Sequence, residues 1–156
     1  MTSGEPRPKR RAQLQIRAYR DRDLEPLVDL LVAVFPDPAP HNQPRESIRR
    51  KLGADPELLL VGHAEARLVA TAMGGWDGHR GWLYQVAVAP EARGRGHGRA
   101  IVEAMEALLR ARGCAKLNLQ VLATNPAAVG FWRQLGYRVE ERVSLGKLLP
   151  PIDREG

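Results

Sequence analysis

A segment rich in glycine and arginine carries the clearest chemical signal in this sequence. It runs from Arg93 to Arg99 and alternates Gly94, Gly96 and Gly98 with basic side chains. Glycine lets a backbone turn tightly and approach a ligand closely. A helix that begins directly after such a turn presents unpaired N–H groups and the positive end of its dipole to an anion. The spacing therefore predicts a phosphate-binding loop between a strand and a helix.

Other interpretations of this loop fit the spacing less well. A Walker loop requires a lysine directly after its last glycine, and Arg99 follows Gly98 here. A dinucleotide fingerprint requires G-x-G-x-x-G, whereas these glycines fall at positions 94, 96 and 98, one residue short. A tight turn that binds nothing would need only one glycine. The interleaving of glycines with basic residues therefore favours an anion site of another kind.

Hydrophobic periodicity predicts the elements that position this loop. Strands are expected over residues 14–18, 58–63, 67–75, 82–89, 116–123 and 137–143, and residues 145–149 are a candidate for a further strand. Helices are expected from Asp21 or Asp23 onward and over residues 44–52, 97–112 and 126–136. This order predicts an α/β (α+β) fold in which helices flank a mixed sheet.

Two of the predicted helices carry further signals. The helix over residues 97–112 should bury one stripe of apolar side chains. The stripe comprises Ile101, Met105, Leu108 and Leu109, with Val102 at its margin. The last helix has Asn125 as its expected N-cap, followed by a proline in the first turn.

Composition predicts one soluble domain. The 156 residues contain 44% hydrophobic residues and no apolar run of the roughly 18–20 residues that a membrane span needs. A lone cysteine, Cys114, excludes an intrachain disulfide and fits a cytoplasmic location. The scattered histidines show no metal-ligand spacing, so we expect no metal.

The net charge of +6 is partly concentrated at the N-terminus. Residues 1–13 contain four basic residues and one acidic residue, 4 − 1 = +3. We expect a basic, disordered tail over residues 1–13, one domain over residues 14–149 and a C-terminal tail over residues 150–156. A nucleic-acid arm is the less favoured interpretation of the first tail, and it would bind in a strongly salt-dependent way.

The loop resembles the acetyl-CoA signature of the GNAT N-acetyltransferases. The pattern Arg93-x-x-Gly96-x-Gly98 is similar to the family's Q/R-x-x-G-x-G/A. Downstream, the run from Asn125 through Trp132 to Tyr137 is similar to the family's N-x-x-A-x-x-F/L-Y-x-x-x-G-F/Y. The resemblance covers residues 14–149, with features similar to the YpeA-type bacterial branch. It implies a mixed, mostly antiparallel sheet of six to seven strands with four helices.

The resemblance also implies how acetyl-CoA, the acetyl donor, is bound. Loop N–H groups would hold the pyrophosphate, and the backbone of Val86 and Val88 would pair with the pantetheine arm as an added strand. An N–H near Val86 would stabilise the oxyanion, and Asn125 would face the thioester end. The implied cofactor-binding residues are Val86, Val88, Arg93, Gly94, Arg95, Gly96, His97, Gly98, Arg99, Asn125 and Trp132.

The catalytic residues are where the sequence departs from the family. Trp132 stands where the family commonly has a tyrosine that protonates the departing thiolate, and an indole cannot do so. Gln120 stands where acetyltransferases of protein N-termini often have a glutamate base. The general base would then be water, Asp77, His79 or Tyr84. Each of these three also has a structural interpretation, as turn, exposed loop or core residue.

For the acceptor site we expect Asn42 and Trp76 to bind substrate. Arg49, Arg50 and Lys51 lie close to Asn42 in sequence and could hold an anionic or carboxylate-bearing amine. A solvated helix face is the alternative for the arginines, and a core position is the alternative for Trp76.

The resemblance predicts an acetyl-CoA-dependent N-acetyltransferase. A neutral primary amine of a small molecule, peptide or protein N-terminus would attack directly in a ternary complex. The alternative is a non-catalytic acyl-CoA-binding or sensing module. We expect no membrane partner and no nucleic-acid partner, while a free sheet edge in the C-terminal strands would permit a homodimer.

Overall fold

The computed structural model describes residues 13–152. Nearly all of the predicted basic tail, and residues 153–156 of the C-terminal tail, lie outside the described residues. The described part contains five strands and four α-helices. They are β1 (Gln15–Ala18), α1 (Leu24–Val34), α2 (Pro44–Ala54), β2 (Leu59–Ala64), β3 (Arg67–Trp76), β4 (Gly81–Val88), α3 (His97–Ala111), β5 (Leu117–Asn118) and α4 (Pro126–Gln134).

The strands form one sheet in the order β1-β2-β3-β4-β5. The first four strands pair antiparallel, and β5 pairs parallel to β4 through two residue pairs, Gly81 with Leu117 and Trp82 with Asn118. The mixed, mostly antiparallel sheet with four helices confirms the predicted fold class. The described residues contain five strands rather than six or seven.

Helices cover both faces of the sheet. On one face, Leu27 and Leu31 of α1 and Ile48 of α2 belong to a buried cluster that also contains Met73 of β3. On the other face, α3 lies over Gly74, where an added Cβ would stand 2.6 Å from the Met105 sulfur. Successive strand residues point to opposite faces, so α3 packs opposite α1 and α2. The close approach of α3 requires glycine at position 74.

The buried face of α3 differs from the predicted stripe. Leu108 is 37% exposed, whereas Val102 and His97 are buried at 0% and 3% exposure. A straight helix crosses a twisted sheet at an angle, so the residues facing the sheet change along its length. The contact face passes from His97 and Ile101 to Leu109, which leaves Leu108 at the edge.

A partly buried ion pair joins β1 to the start of α1. The Arg17 guanidinium donates to both carboxylate oxygens of Asp23 at 2.6 and 2.8 Å, and the Arg20 N–H donates at 2.8 Å. Burial raises the pKa of the Asp23 carboxyl, but these hydrogen bonds outweigh it and hold the pKa below its usual value. Asp23 therefore fixes the β1–α1 corner rather than capping the helix with its side chain.

Residues from Val121 onward form a separate compact unit. The Asn125 side chain accepts from the Ala128 N–H at 3.2 Å, which confirms the predicted cap of α4. The predicted strands over 137–143 and 145–149 are wrong for the described residues, and the strand over 116–123 shortens to Leu117–Asn118. Alternating apolar residues form a strand only where a neighbouring strand supplies hydrogen bonds. Val143 and Leu145 in this segment are 86% and 91% exposed.

None of the helices in the described range is long and apolar enough to cross a membrane.

Candidate functional site

Strand β4 contains a bulge immediately after Tyr84. The register passes from Tyr84 opposite Met73 to Ala87 opposite Thr71, so Gln85 and Val86 together face a single residue of β3. Gln85 has φ 45°, a left-handed conformation that residues other than glycine rarely adopt. A bulge of this kind interrupts the ladder and turns backbone groups in a new direction. The predicted oxyanion-binding position near Val86 lies in this bulge.

Beyond the bulge, one edge of β4 is open. The Ala89 N–H donates to the Val69 carbonyl at 2.7 Å, so Val88 and Ala70 form a non-hydrogen-bonded pair in the ladder. The N–H and C=O of Val88 therefore point away from β3. Within residues 13–152, β5 pairs with β4 only as far as Trp82. The open edge offers Val88 backbone groups to an added strand, and the pairing of Val88 with the pantetheine arm stays a prediction.

The glycine-rich loop forms a cradle of backbone N–H groups. Gly94 and Gly96 have φ 76° and 85°, and Gly96 is the N-cap of α3 without a side-chain cap. No acceptor among the described residues takes a hydrogen bond from the N–H groups of residues 94–98. A Cβ at Gly94 or Gly96 would meet nothing within 4 Å. Open space, free N–H groups and a helix N-terminus together fit a phosphate.

The basic side chains of this loop have different surroundings. Arg93, Arg95 and Arg99 are exposed. The Arg93 Nε donates to the Val88 carbonyl at 3.3 Å, which ties the loop to the open edge of β4. Arg99 pairs with Glu103 one helical turn away at 3.4 Å.

His97 does not point into solvent. Its side chain is 3% exposed, and its Nε2 is buried with no hydrogen-bond partner among residues 13–152. The same holds for the Oε1 of Gln85 in the bulge. The imidazole is packed at the sheet-facing side of α3, so the part of His97 that faces the cradle is its backbone N–H.

Trp82 and Tyr84 form an aromatic pair on the sheet face opposite α3. Tyr84 is paired with Met73, which packs against α1 and α2. The Tyr84 ring stacks on Trp82 with 6.4 Å between the ring centroids. It also lies over Gly75, where a Cβ added to the glycine would stand 3.2 Å from the ring. Tyr84 is 46% exposed. Burial and the nearby Asp77 charge raise the pKa of its hydroxyl, which therefore stays protonated at neutral pH.

The other two predicted catalytic residues lie in an exposed turn after β3. One carboxylate oxygen of Asp77 accepts from the Arg80 and His79 N–H groups, each at 2.7 Å. These two hydrogen bonds lower the pKa of Asp77. The following Gly78 has φ 89°, as a tight turn requires. Asp77 thus acts as a turn residue and is a weak base, and His79 is exposed beside it.

The predicted acceptor-binding residues are Asn42 and Trp76, and α2 also makes a contact to β3 that the sequence did not single out. Asn42 is exposed in the turn Pro40–Asn42, and Trp76 is half-buried at the end of β3. The Lys51 ammonium on α2 donates to the Gly74 carbonyl on β3, and its side chain is only 10% exposed. Sequence reasoning named Lys51 only for its charge, because nothing in the sequence links it to a residue 23 positions away.

Two predicted cofactor-binding residues belong to the C-terminal unit. The Asn125 side-chain oxygen is used as the cap of α4. The Trp132 indole packs edge-on against Phe131 and Tyr137, with 5.1 Å between ring centroids in both cases.

Comparisons with known proteins agree on one family. The acetyltransferase (GNAT) family profile matches residues 24–137. An acetyltransferase of Yersinia enterocolitica is 39% identical over 148 residues, which cover 91% of this chain and 99% of the relative.

The fold is similar to that of the aminoglycoside N-acetyltransferase AAC(6')-Iy in complex with CoA, with TM-score 0.73 and 20% identity over 87% of this chain and 95% of that chain. It is also similar to the PaiA N-acetyltransferase of Thermoplasma acidophilum in complex with CoA, with TM-score 0.73 and 16% identity over 84% and 93% of the two chains. The chain therefore belongs to the GNAT family, whose members use acetyl-CoA as the acetyl donor, and it is an acetyl-CoA-dependent acyltransferase.

Proposed function

We propose that this enzyme acetylates a primary amine by direct attack of the amine in a complex that holds both substrates. The observation that carries the proposal is the bulge at Gln85 and Val86, beside an open strand edge that leads into the N–H cradle. The bulge and the cradle belong to one compact unit and follow each other along the chain from β4 into α3, so phosphate binding would set the position of the acyl group.

The residues that would hold the donor follow from this geometry. The N–H groups of residues 94–98 would bind the pyrophosphate, with exposed Arg95 and Arg99 adding charge. Val88 would pair its outward backbone groups with the amides of the pantetheine arm. Because the Val88 carbonyl already accepts from Arg93, Arg93 would have to share or release this carbonyl on binding. When bound, acetyl-CoA supplies an electrophilic thioester and a thiolate leaving group.

The proton requirement favours an α-amine as the acceptor. A raised pKa makes the Tyr84 hydroxyl a hydrogen-bond donor at neutral pH, and a lowered pKa makes Asp77 a poor base. Neither side chain is suited to deprotonating a lysine ammonium of pKa about 10.4, whereas an α-ammonium of about 7.7–8 loses its proton to water readily. The acceptor we propose is therefore the α-amine of a small molecule, peptide or protein N-terminus.

A relative of the same fold supports direct transfer. The aminoglycoside acetyltransferase AAC(6')-Iy, with TM-score 0.72, has also been solved with a bisubstrate analogue, CoA-S-monomethyl-acetylneamine. A single molecule that joins CoA to an acceptor fits a site that holds both substrates together.

A non-catalytic acyl-CoA-binding module is the second candidate. Trp132 favours the non-catalytic module. Its indole packs in an aromatic cluster at the position where the family commonly has a tyrosine hydroxyl that protonates the thiolate. The two candidates share CoA binding and differ only in turnover.

The test measures CoA affinity by calorimetry and thiol release from acetyl-CoA with a panel of amines, amino acids and peptides. We expect binding and amine-dependent thiol release. Tight binding without release on the whole panel would favour the non-catalytic module, and no binding would refute both candidates. Tyr84→Phe should lower kcat without changing CoA affinity. Tyr19→Phe is the matched control, because Tyr19 follows β1 at the other edge of the sheet.

A further inference from the structure

The aromatic pair of Trp82 and Tyr84 forms a partly exposed surface beside the bulge. The two rings are inclined by 21°, with 6.4 Å between their centroids. Tyr84 is 46% exposed and Trp82 is half-buried. Tyr84 directly precedes the bulge, where the proposed function presents the acyl group. The pair therefore lies where the part of an acceptor beyond its reacting amine would rest.

Gly75 allows the Tyr84 ring to reach from β4 across β3. A Cβ at position 75 would stand 3.2 Å from the ring and 3.9 Å from its hydroxyl oxygen. The hydroxyl end of the ring thus lies at the end of β3, which stops at Trp76 and is followed directly by Asp77. The Asp77 carboxylate is close enough to raise the pKa of the Tyr84 hydroxyl. One carboxylate and two aromatic faces therefore border the same surface.

The Asp77 carboxylate is suited to binding a cation. Its Oδ1 accepts from the His79 and Arg80 N–H groups, and within residues 13–152 no cationic side chain forms an ion pair with it. These hydrogen bonds lower its pKa, so it is ionised at neutral pH and is a weak base. The Arg80 side chain is exposed at the same turn, but the charge that shifts the pKa of the Tyr84 hydroxyl is that of Asp77.

The cations of α2, which the sequence suggested for an anionic acceptor, have partners of their own. Arg49 pairs with a carboxylate one turn earlier at 2.7 Å, and Lys51 lies 3.8 Å from Asp55. Arg50 donates to a backbone carbonyl before the helix. These side chains are bound within the chain, whereas the carboxylate beside the aromatic pair has no ionic partner among the described residues.

Building on the proposed function, we propose that the acceptor carries a second, cationic group, which binds between the Asp77 carboxylate and the faces of Trp82 and Tyr84. A cation within about 6 Å of the centroid of a Trp or Tyr ring is attracted by the negative face of the ring. The centre of the pair lies two to three residues before Gln85 and Val86. At about 3.3 Å per residue, the second cation would lie roughly 7–10 Å from the reacting amine. An N-terminal residue with a long basic side chain has this spacing.

Binding of a simple cation tests the proposal without turnover. Choline and 3,3-dimethylbutanol have the same shape and differ in one charge, and their affinities are measured by NMR of the tryptophan indole N–H signals. We expect choline to bind about tenfold more tightly, through the aromatic faces and the carboxylate together. Trp82→Leu and Asp77→Asn should each reduce this preference about threefold, whereas Tyr84→Phe, which keeps a ring, should keep most of it.

Glu65→Gln is the matched control for Asp77→Asn. Glu65 is an exposed carboxylate in the turn before β3, at the opposite end of that strand. Its replacement should leave the preference for choline unchanged. Asp77→Asn retains a side-chain oxygen for the N–H groups of its turn, so it removes the charge and keeps the turn.

Turnover gives the second readout. Two peptides are compared, one with N-terminal Nε-trimethyllysine and one with a carbon in place of the quaternary nitrogen. Neither side chain can be acetylated, so the α-amine reacts in both. We expect kcat/KM to favour the cationic peptide about tenfold, and Asp77→Asn to reduce this preference with KM for acetyl-CoA unchanged.

Equal binding of choline and 3,3-dimethylbutanol would overturn the proposal, as would a preference that both Asp77→Asn and Trp82→Leu leave unchanged. Preferential binding of choline with no thiol release from any amine would instead refute the proposed function.

Discussion

Replacing Gly96 by alanine separates the donor-binding role of the loop from its folding role. Gly96 has φ 85°, a conformation that costs a residue with a Cβ roughly 1–2 kcal/mol. No atom lies within 4 Å of the added Cβ, so the free protein bears only this conformational cost. For a chain of 156 residues, that corresponds to a fall in Tm of about 2–8 °C.

The effect of Gly96→Ala on CoA affinity should be larger than its effect on stability. The added methyl group stands at the N-cap of α3, next to the N–H groups that are proposed to bind the pyrophosphate. Loss of one charge-assisted hydrogen bond weakens binding by about 1.5–3 kcal/mol, so the Kd for CoA should rise at least tenfold. Calorimetry with CoA measures it, alongside thermal unfolding of the unliganded protein.

Gly113→Ala is the matched control. Gly113 follows the other end of α3, has φ 92°, and also has nothing within 4 Å of an added Cβ. It should show the same loss of stability as Gly96→Ala and no change in CoA affinity. Equal CoA affinities in the two variants would refute the assignment of the loop as the donor cradle.

Three further outcomes follow from the structure. Asp23→Asn should cost about 1.5–3 kcal/mol in unfolding experiments, because it removes the charge that accepts hydrogen bonds from the partly exposed Arg17 guanidinium. Folding lowers the pKa of Asp23 from 3.8, so its contribution to the free energy of unfolding is complete above pH 3.8. This contribution is lost as pH falls through the folded pKa, and Asp23→Asn should abolish that pH dependence. Asn125→Ala should cost about 1 kcal/mol through the lost cap, whereas Asn125→Asp should not. Trp132→Tyr should raise kcat without changing CoA affinity, and an unchanged kcat would exclude a vacant proton-donor position.

Local backbone chemistry made part of the site predictable from sequence. Gly94 and Gly96 adopt the positive φ that their spacing implied, and Asp77 with Gly78 forms the expected turn. Asn125 caps α4 as its place before a proline indicated. Each of these features depends on a few consecutive residues, so a single sequence contains the required information.

Features that depend on partners distant in the chain were not predictable. Nothing in the residue type of Gln85 signals a left-handed φ, because the bulge arises from the register between β3 and β4. The resemblance implies that His97 binds the cofactor, and nothing in the residue type signals that its ring is buried at 3% exposure. The strand predicted from Tyr137 onward lacks a neighbouring strand among the described residues, and alternation alone cannot supply one.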